Sequence, residues 1–381
     1  MDFQLTEEQQ MLKDSARRFL EENCVFDSRQ PLIDKGSFDP ARWNVSAELG
    51  WLGMSLPEEY GGLGGSAIET AILAEEMGRV LFVEPYWAVA VLAAQTVVAS
   101  GDKDKGEEIL PALAAGEARP VLAHGEAEAR GAIEYVSTCA TAAGIGRWRL
   151  TGNKSLVVAG NVADRFIVSA RTSGAVSDRH GITLFVIDRN APGVVMRDVR
   201  LTDNRWATDL TLDDVVVSEA NVLGEVDGAW VALEGGHAHA LVALCAEAVG
   251  VMEKALWITR DYLKIRKQFG ATLSTFQALQ HRMSEMLIEL ELARGMVHKA
   301  LASMNAAPEE RARALAAAKV HIGRSGKFVC GQAIQLHGGI GVTEEYIIGH
   351  YFKRMTNIEY TLGNSHVHLE RLADIVRREA A

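Results

Sequence analysis

Two stretches of this chain carry residue types suited to a phosphorylated ligand. The later one is Gln335-Leu-His-Gly-Gly-Ile-Gly341, which closes a long apolar helical run and is followed by Val342-Thr-Glu-Glu-Tyr346 and the basic pair Lys353-Arg354. Gly338, Gly339 and Gly341 lack the Cβ atoms that keep a ligand off the backbone. A loop of this kind between helices presents bare N–H groups, and a following helix N-terminus, to a phosphate. Taken alone, such a cluster reads equally as a helix C-cap and turn. The earlier stretch is Arg266-Lys-Gln-Phe-Gly270, followed by Phe276, Gln277 and Gln280. Arg266 alone reads as an exposed cation at a helix end; the two stretches together give it a purpose.

In combination they resemble the acyl-CoA dehydrogenase family, over essentially the whole chain and in the same order. That family has an R-x-x-F-G turn, a Gln-bearing helix after it, and later a Q-x-x-G-G-x-G loop. The resemblance implies flavin adenine dinucleotide (FAD) as cofactor, reached across a subunit interface. It assigns Arg266 to the pyrophosphate and Gln335 with the loop glycines to the adenine side. The implied cofactor-binding set is Arg266, Gln268, Phe269, Gln277, Gln335, Gly338, Gly339 and Gly341. A further loop, Pro57-Glu-Glu-Tyr-Gly-Gly-Leu-Gly-Gly65, resembles an architectural segment of the family. It is not a nucleotide loop, because no strand precedes it and no lysine follows it.

The implied reaction is α,β-dehydrogenation of an acyl-CoA thioester, with a carboxylate removing the α proton and the β hydrogen leaving as hydride to the flavin. Reduced flavin then passes electrons to an electron-transfer flavoprotein. The chain departs from the family where this chemistry needs most. The T-E-x-x-x-G-S-D signature falls on Ala123-His-Gly-Glu-Ala-Glu-Ala-Arg130, where Glu126 alone matches. The W-I-T/S stretch falls on Leu156-Val-Val158, expected as strand filling. One base position is Asn364, or Gly363 counted forward from Arg354; the other is Ala240, with Leu241 where an Arg usually stands. Neither Asn nor Ala takes a proton at neutral pH. His237, His239, His366 and His368 lie nearby, and His239 and His366 are the candidate substitute bases. A surface or helix-capping histidine is the plainer reading of each. No carboxylate or Cys pattern accompanies them, so no metal is expected.

The elements that must hold these residues follow from pattern. With 381 residues, 48% hydrophobic and 23% charged, the chain has material for two or three compact units. Its net charge of −11 argues against a nucleic-acid partner. Cys24, Cys139, Cys245 and Cys330 lie far apart, which suits a reducing, cytoplasmic setting. Met1–Thr6 does not read as a signal peptide, and no apolar run has the length of a membrane span. Thr6 and Gln9 form a capping-box pattern, and helical spacing dominates the first 115 residues. Short β-rich runs then appear at 148–150, 156–158, 165–169, 182–187 and 214–217, with turn signals at Thr151-Gly-Asn153 and Ala191-Pro-Gly193. Helical runs return at Val231–Ile265, Phe276–Met304, Glu309–Leu336, Glu344–Met355 and His366–Arg378.

The expected fold class is therefore α+β and multidomain, as the family resemblance implies. Residues 1–115 form an N-terminal helical domain, 116–225 a middle β-barrel-like domain, and 226–381 a C-terminal four-helix-bundle domain. The expected function is a subunit of a heteromeric acyl-CoA dehydrogenase, similar to the small subunit of pimeloyl-CoA dehydrogenases and to bacterial steroid side-chain enzymes. It would lend a flavin half-site to a related subunit in an α2β2 heterotetramer, or else form a homo-oligomer. The alternatives are a self-sufficient dehydrogenase with an unusual base, and a structural or regulatory subunit that binds neither flavin nor thioester.

Overall fold

A computed structural model describes residues 4–379; Met1–Phe3, Ala380 and Ala381 lie outside the described residues. In chain order the elements are α1 (Glu7–Asn23), α2 (Arg29–Asp34), α3 (Pro40–Glu48), α4 (Ala67–Arg79), a π-helical stretch Trp87–Ala93 running into α5 (Ala94–Ser100), and α6 (Lys103–Ala114). The strands are β1 (Pro120–Ala123), β2 (Cys139–Ala142), β3 (Arg147–Val158), β4 (Arg165–Arg171), β5 (Ile182–Asp188), β6 (Val194–Arg200), β7 (Trp206–Ser218) and β8 (Val222–Leu223). Helix α7 (Trp230–Ile265) leads into the hairpin β9 (Lys267–Gln268) and β10 (Ala271–Thr272). Helices α8 (Gln277–Ala302), α9 (Pro308–His337), α10 (Ile347–Tyr360) and α11 (Ser365–Glu379) complete the chain. The chain divides into two compact units. One holds residues 30–66 and 83–240; the other holds 1–29, 67–82 and 241–381.

The first unit is built on an eight-stranded sheet of order β6-β7-β3-β2-β4-β5-β8, with β1 parallel to β4. Strands β4 and β5 are buried along nearly their whole length and supply Phe166, Ile167, Leu184 and Phe185 to the core. The turn expected at Thr151-Gly-Asn153 lies inside β3. Gly152 sits at a register shift against β7, and a Cβ there would come within 2.7 Å of the Thr138 backbone. The signal marks a β-bulge, because a close backbone approach selects glycine as strongly as a turn does. The turn expected at Ala191-Pro-Gly193 separates β5 from β6.

The second unit is helical. Thr6 and Gln9 form the expected capping box at the start of α1. Helices α4 and α7 touch backbone to backbone, since a Cβ on Gly250 would meet the Glu75 carbonyl at 1.9 Å. Helix α9 packs against α8, α10 and α11. Gly326 lies against Met355, whereas Gly331 has ordinary room. Arg354 is 1% exposed and locks this unit internally. Its guanidinium donates to Glu247 at 2.6 Å and to the Phe82 carbonyl at 3.0 Å. Among the described residues no helix is long and apolar enough to cross a membrane.

Candidate functional site

Helix α7 ends where β9 and β10 form a tight hairpin pairing Gln268 with Ala271. Its two central residues, Phe269 and Gly270, have φ of 52° and 79°. That is a primed turn, and it needs left-handed backbone at both positions. Glycine adopts it freely, but a phenylalanine there is an outlier. Phe269 is 89% exposed, resting only edge-on near Phe276 with ring centroids 6.3 Å apart. Arg266, Gln268 and Gln277 are exposed on the same hairpin and the start of α8. The Arg266 guanidinium has no ion-pair or hydrogen-bond partner among the described residues.

Helix α9 ends at His337, and Gly338 turns the chain with φ 65° and ψ −142°, a conformation open essentially to glycine alone. A Cβ on Gly338 or Gly339 would meet nothing within 4 Å, so this chain leaves the space over both open. Gly341 differs, for a Cβ there would come within 2.7 Å of the Ile334 carbonyl. Its own helix end requires that glycine. Gln335 is exposed one turn before the loop. The two motifs meet through aromatic stacking. Tyr262, one turn before Arg266, stacks on His337 at 4.3 Å and donates its hydroxyl to the His337 carbonyl at 3.3 Å. Tyr346 closes the cluster 5.1 Å from His337. The basic pair after the loop does not join this surface, since Arg354 is buried and Lys353 pairs with Glu344.

The middle signature forms a different kind of site in the sheet unit. Glu126 is buried and accepts from Lys154 at 2.7 Å, from the Ser137 and Thr138 hydroxyls, and from both their backbone N–H groups. Burial works to raise the Glu126 carboxyl, but Lys154 and the hydroxyls outweigh it and hold it at about 2. Burial also lowers the Lys154 ammonium to about 8, against the pull of Glu126. Sequence reasoning missed Lys154. The signal was its phase in β3, four residues after inward-facing Leu150 on an alternating strand.

The Leu156-Val-Val158 stretch is only partly the strand filling expected of it. Val157 is buried, but Leu156 is 54% exposed with φ 51°. A register shift between Lys154 and Val157 bulges the strand and turns Leu156 outward, with its N–H on Asp209.

At the base positions, Ala240 is fully buried within α7. Asn364 caps α11, its Oδ1 accepting from the N–H groups of His366 and Val367. Of the histidines, His366 is exposed beside Glu370 at 3.3 Å. His368 is buried against the Leu362 carbonyl at 2.9 Å. His237 bonds the Leu233 carbonyl at 2.8 Å, and His239 is half-buried two residues on. No group of three or more His, Cys, Asp or Glu side chains could hold a metal ion among the described residues.

Comparison with known proteins agrees along the whole chain. Family models for the acyl-CoA dehydrogenase N-terminal, middle and C-terminal domains match residues 6–117, 123–215 and 227–376. The probable acyl-CoA dehydrogenase YngJ of Bacillus subtilis is 29% identical over 376 residues, 96% of this chain and 97% of that protein. A variant of the Tcur3481–Tcur3483 steroid ACAD is 32% identical with a TM-score of 0.87, covering 98% of this chain and 99% of that one. The ChsE4–ChsE5 complex of Mycobacterium tuberculosis is 26% identical with a TM-score of 0.88, covering 99% of each chain. The helical ends, the β-sheet between them and these matches place the chain in the acyl-CoA dehydrogenase family, whose members are FAD-dependent flavoproteins.

Proposed function

We propose that this chain is a subunit of an FAD-dependent acyl-CoA dehydrogenase that contributes a flavin half-site to a related, catalytic partner. The observation that carries the reading is the exposed surface formed by the Arg266–Gly270 hairpin and the Gly338–Gly339 loop, joined by Tyr262 on His337. A guanidinium without a partner among the described residues, an outward phenylalanine and a glycine whose missing Cβ meets none of them form a surface suited to a ligand and a neighbour. When bound, the flavin supplies the hydride acceptor. Arg266 would hold its phosphates, with Gln268, Phe269 and Gln277 beside it. Gln335, Gly338 and Gly339 would flank the adenine side, while Gly341 keeps the loop closed against α9.

This chain's residues fit the phosphate end and not the ring end. The Glu126 carboxylate is fully engaged with Lys154, Ser137 and Thr138, and Leu156-Val-Val158 has no hydroxyl where the family's W-I-T/S stretch carries one. Nor does it offer a carboxylate base, since Ala240 is buried and apolar and Asn364 spends its side chain on a helix cap. The α proton would then be removed by the partner's base, and electrons would pass to an electron-transfer flavoprotein. The partnership is supported by the two-component complex among its structural neighbours.

Flavin absorbance tests the reading, measured on the chain purified alone and with the related subunit. Flavin in the complex and little in the chain alone is the expected result. Stoichiometric flavin and acyl-CoA turnover by the chain alone would refute it.

A further inference from the structure

Helices α4 and α7 cross with their backbones in contact. A Cβ on Gly78 would meet the Glu247 carbonyl at 2.2 Å, and one on Gly250 that of Glu75 at 1.9 Å. Beside the crossing, Ala71 and Ala246 are too small to fill the space toward α1 and α8, and a cleft of about 510 Å³ remains. Leu5, Ile68, Ile72, Val249, Val297 and Leu301 give it apolar walls. A volume of this order, with apolar walls around a few polar groups, suits a small organic ligand. Every lining residue belongs to the helical unit, and neither the Arg266 hairpin nor the Gly338–Gly339 loop contributes one.

One end of the cleft is charged and short of hydrogen bonds. Oε1 of Glu75 is shared by Lys13 Nζ at 3.5 Å and Arg294 Nη1 at 3.4 Å. Both distances exceed the about 2.7–2.9 Å of a charge-assisted hydrogen bond. Lys13 lies 4.0 Å from Glu76, but that carboxylate is already held by Arg17 at 2.7 Å. The Lys13 ammonium therefore donates no hydrogen bond among the described residues, although its side chain is only 20% exposed. Arg294 places Nη2 on Glu253 at 3.0 Å, and its Nε is buried without a hydrogen-bond partner. Lys13, Arg17, Arg79 and Arg294 thus face the carboxylates of Glu75, Glu76 and Glu253, one cation in excess. Glu291 reaches Arg294 only at 3.6 Å and is 61% exposed, where water screens it. Glu69 is taken by the Gln9 amide at 2.7 Å.

We propose that this cleft binds a small monocarboxylate with an apolar tail. The carboxylate sits between Lys13 and Arg294, and the tail lies along Ile72, Val249 and Val297. A single negative charge matches the single excess cation, and its oxygens accept from donors that are otherwise unused. The apolar walls account for the tail. An uncharged ligand would leave those donors unmade, and an ammonium ligand would meet Glu75 already shared by two cations. The site goes beyond the half-site reading and does not rest on it.

Equilibrium dialysis of the intact chain with radiolabelled octanoate, octanamide and acetate tests the proposal. Octanoate should bind one to one. Octanamide, which lacks the charge, and acetate, which lacks the tail, should each bind at least about tenfold more weakly. No octanoate binding overturns the proposal; that is also the outcome if residues ahead of Gln4 occupy the cleft. Octanamide or acetate as tight as octanoate overturns it too. Two variants fix the place. Lys13→Gln should weaken octanoate about tenfold. Ala302→Trp puts a large side chain on an exposed residue of the rim and should block it. Wild-type affinity in either folded variant places the octanoate elsewhere and overturns the proposal. Should Lys13→Gln fail to fold, Ala302→Trp and the probe series still decide. Flavin content of the partner complex does not enter these measurements, so the half-site stands or falls separately.

Discussion

The side-chain oxygen of Asn364 accepts the backbone N–H of Val367 at 3.0 Å, and that of His366 at 3.1 Å, so the residue that the sequence resemblance sets at a base position is the N-cap of α11. Asn364→Glu therefore trades a cap for a carboxylate. Loss of a cap costs about 1 kcal/mol, whereas Asn364→Asp keeps the cap and adds a charge favoured at a helix N-terminus. Asn364→Glu should lower the melting temperature by about 1–2 °C, as a loss of that size does in a chain this long, and Asn364→Asp should not. Neither should give the partner-free chain turnover. General-base catalysis contributes about 10²–10⁴ in rate where a pocket is competent, so a gain of that size on saturated acyl-CoA would show that the pocket is intact and lacks only its base.

Arg266→Ala removes a cation that has no partner among the described residues. The melting temperature of the chain should stay within a degree or two. The complex with its partner should lose flavin, because a charge-assisted contact to phosphate and its desolvated setting contribute on the order of 2–4 kcal/mol. Flavin content after gel filtration measures it, and full retention would remove Arg266 from the site.

The two loop glycines separate packing from binding. A Cβ on Gly339 meets nothing within 4 Å, while one on Gly341 comes within 2.7 Å of a carbonyl. Gly339→Ala should leave the melting temperature unchanged and reduce flavin content of the complex. Gly341→Ala should destabilise the chain itself. Equal melting losses in both variants would contradict the open space over Gly339.

Lys154→Met should be among the most damaging single changes in the sheet unit. It leaves Glu126 buried and charged without its cation, a loss of about 3–5 kcal/mol. In the native protein the folded Glu126 carboxyl lies at about 2, below the ordinary 4.5. Its contribution is therefore present above pH ~4.5 and is lost as pH falls from there toward ~2. Urea midpoints across that window should drop more steeply in wild type than in the double variant Glu126→Gln, Lys154→Met.

Glu84 carries the opposite sign. Burial raises its carboxyl to about 7 despite Arg42, whose guanidinium is 3.0 Å away. The fold favours the protonated form, so this stabilisation is present below pH ~4.5 and lost as pH rises through ~7. Glu84→Gln should flatten the stability profile between these values, and an unchanged slope would place the charge elsewhere.

The sequence by itself determined the long helices, because apolar spacing sustained over many turns specifies its own face. Runs expected at Val231–Ile265 and Glu309–Leu336 are observed at Trp230–Ile265 and Pro308–His337. It also determined the family, since Arg266, Phe269 and the Gln335–Gly341 loop carry their chemistry in residue type and spacing. What it could not give was the use of each polar side chain, which depends on neighbours distant in the chain. Gly152 signalled a turn and serves a bulge because Thr138 lies against it. Glu126 looked like a remnant of a flavin signature, and only the pairing of β3 with its neighbours brings Lys154 to it from 28 residues away. Leu156 read as filling, and a bulge turned it to the surface. Asn364 looked like a lost base, and the start of α11 made it a cap. Local pattern sets where helices and strands form; the tertiary structure decides which charge, donor or glycine each is used against, because a buried group must find its partner wherever the fold brings one.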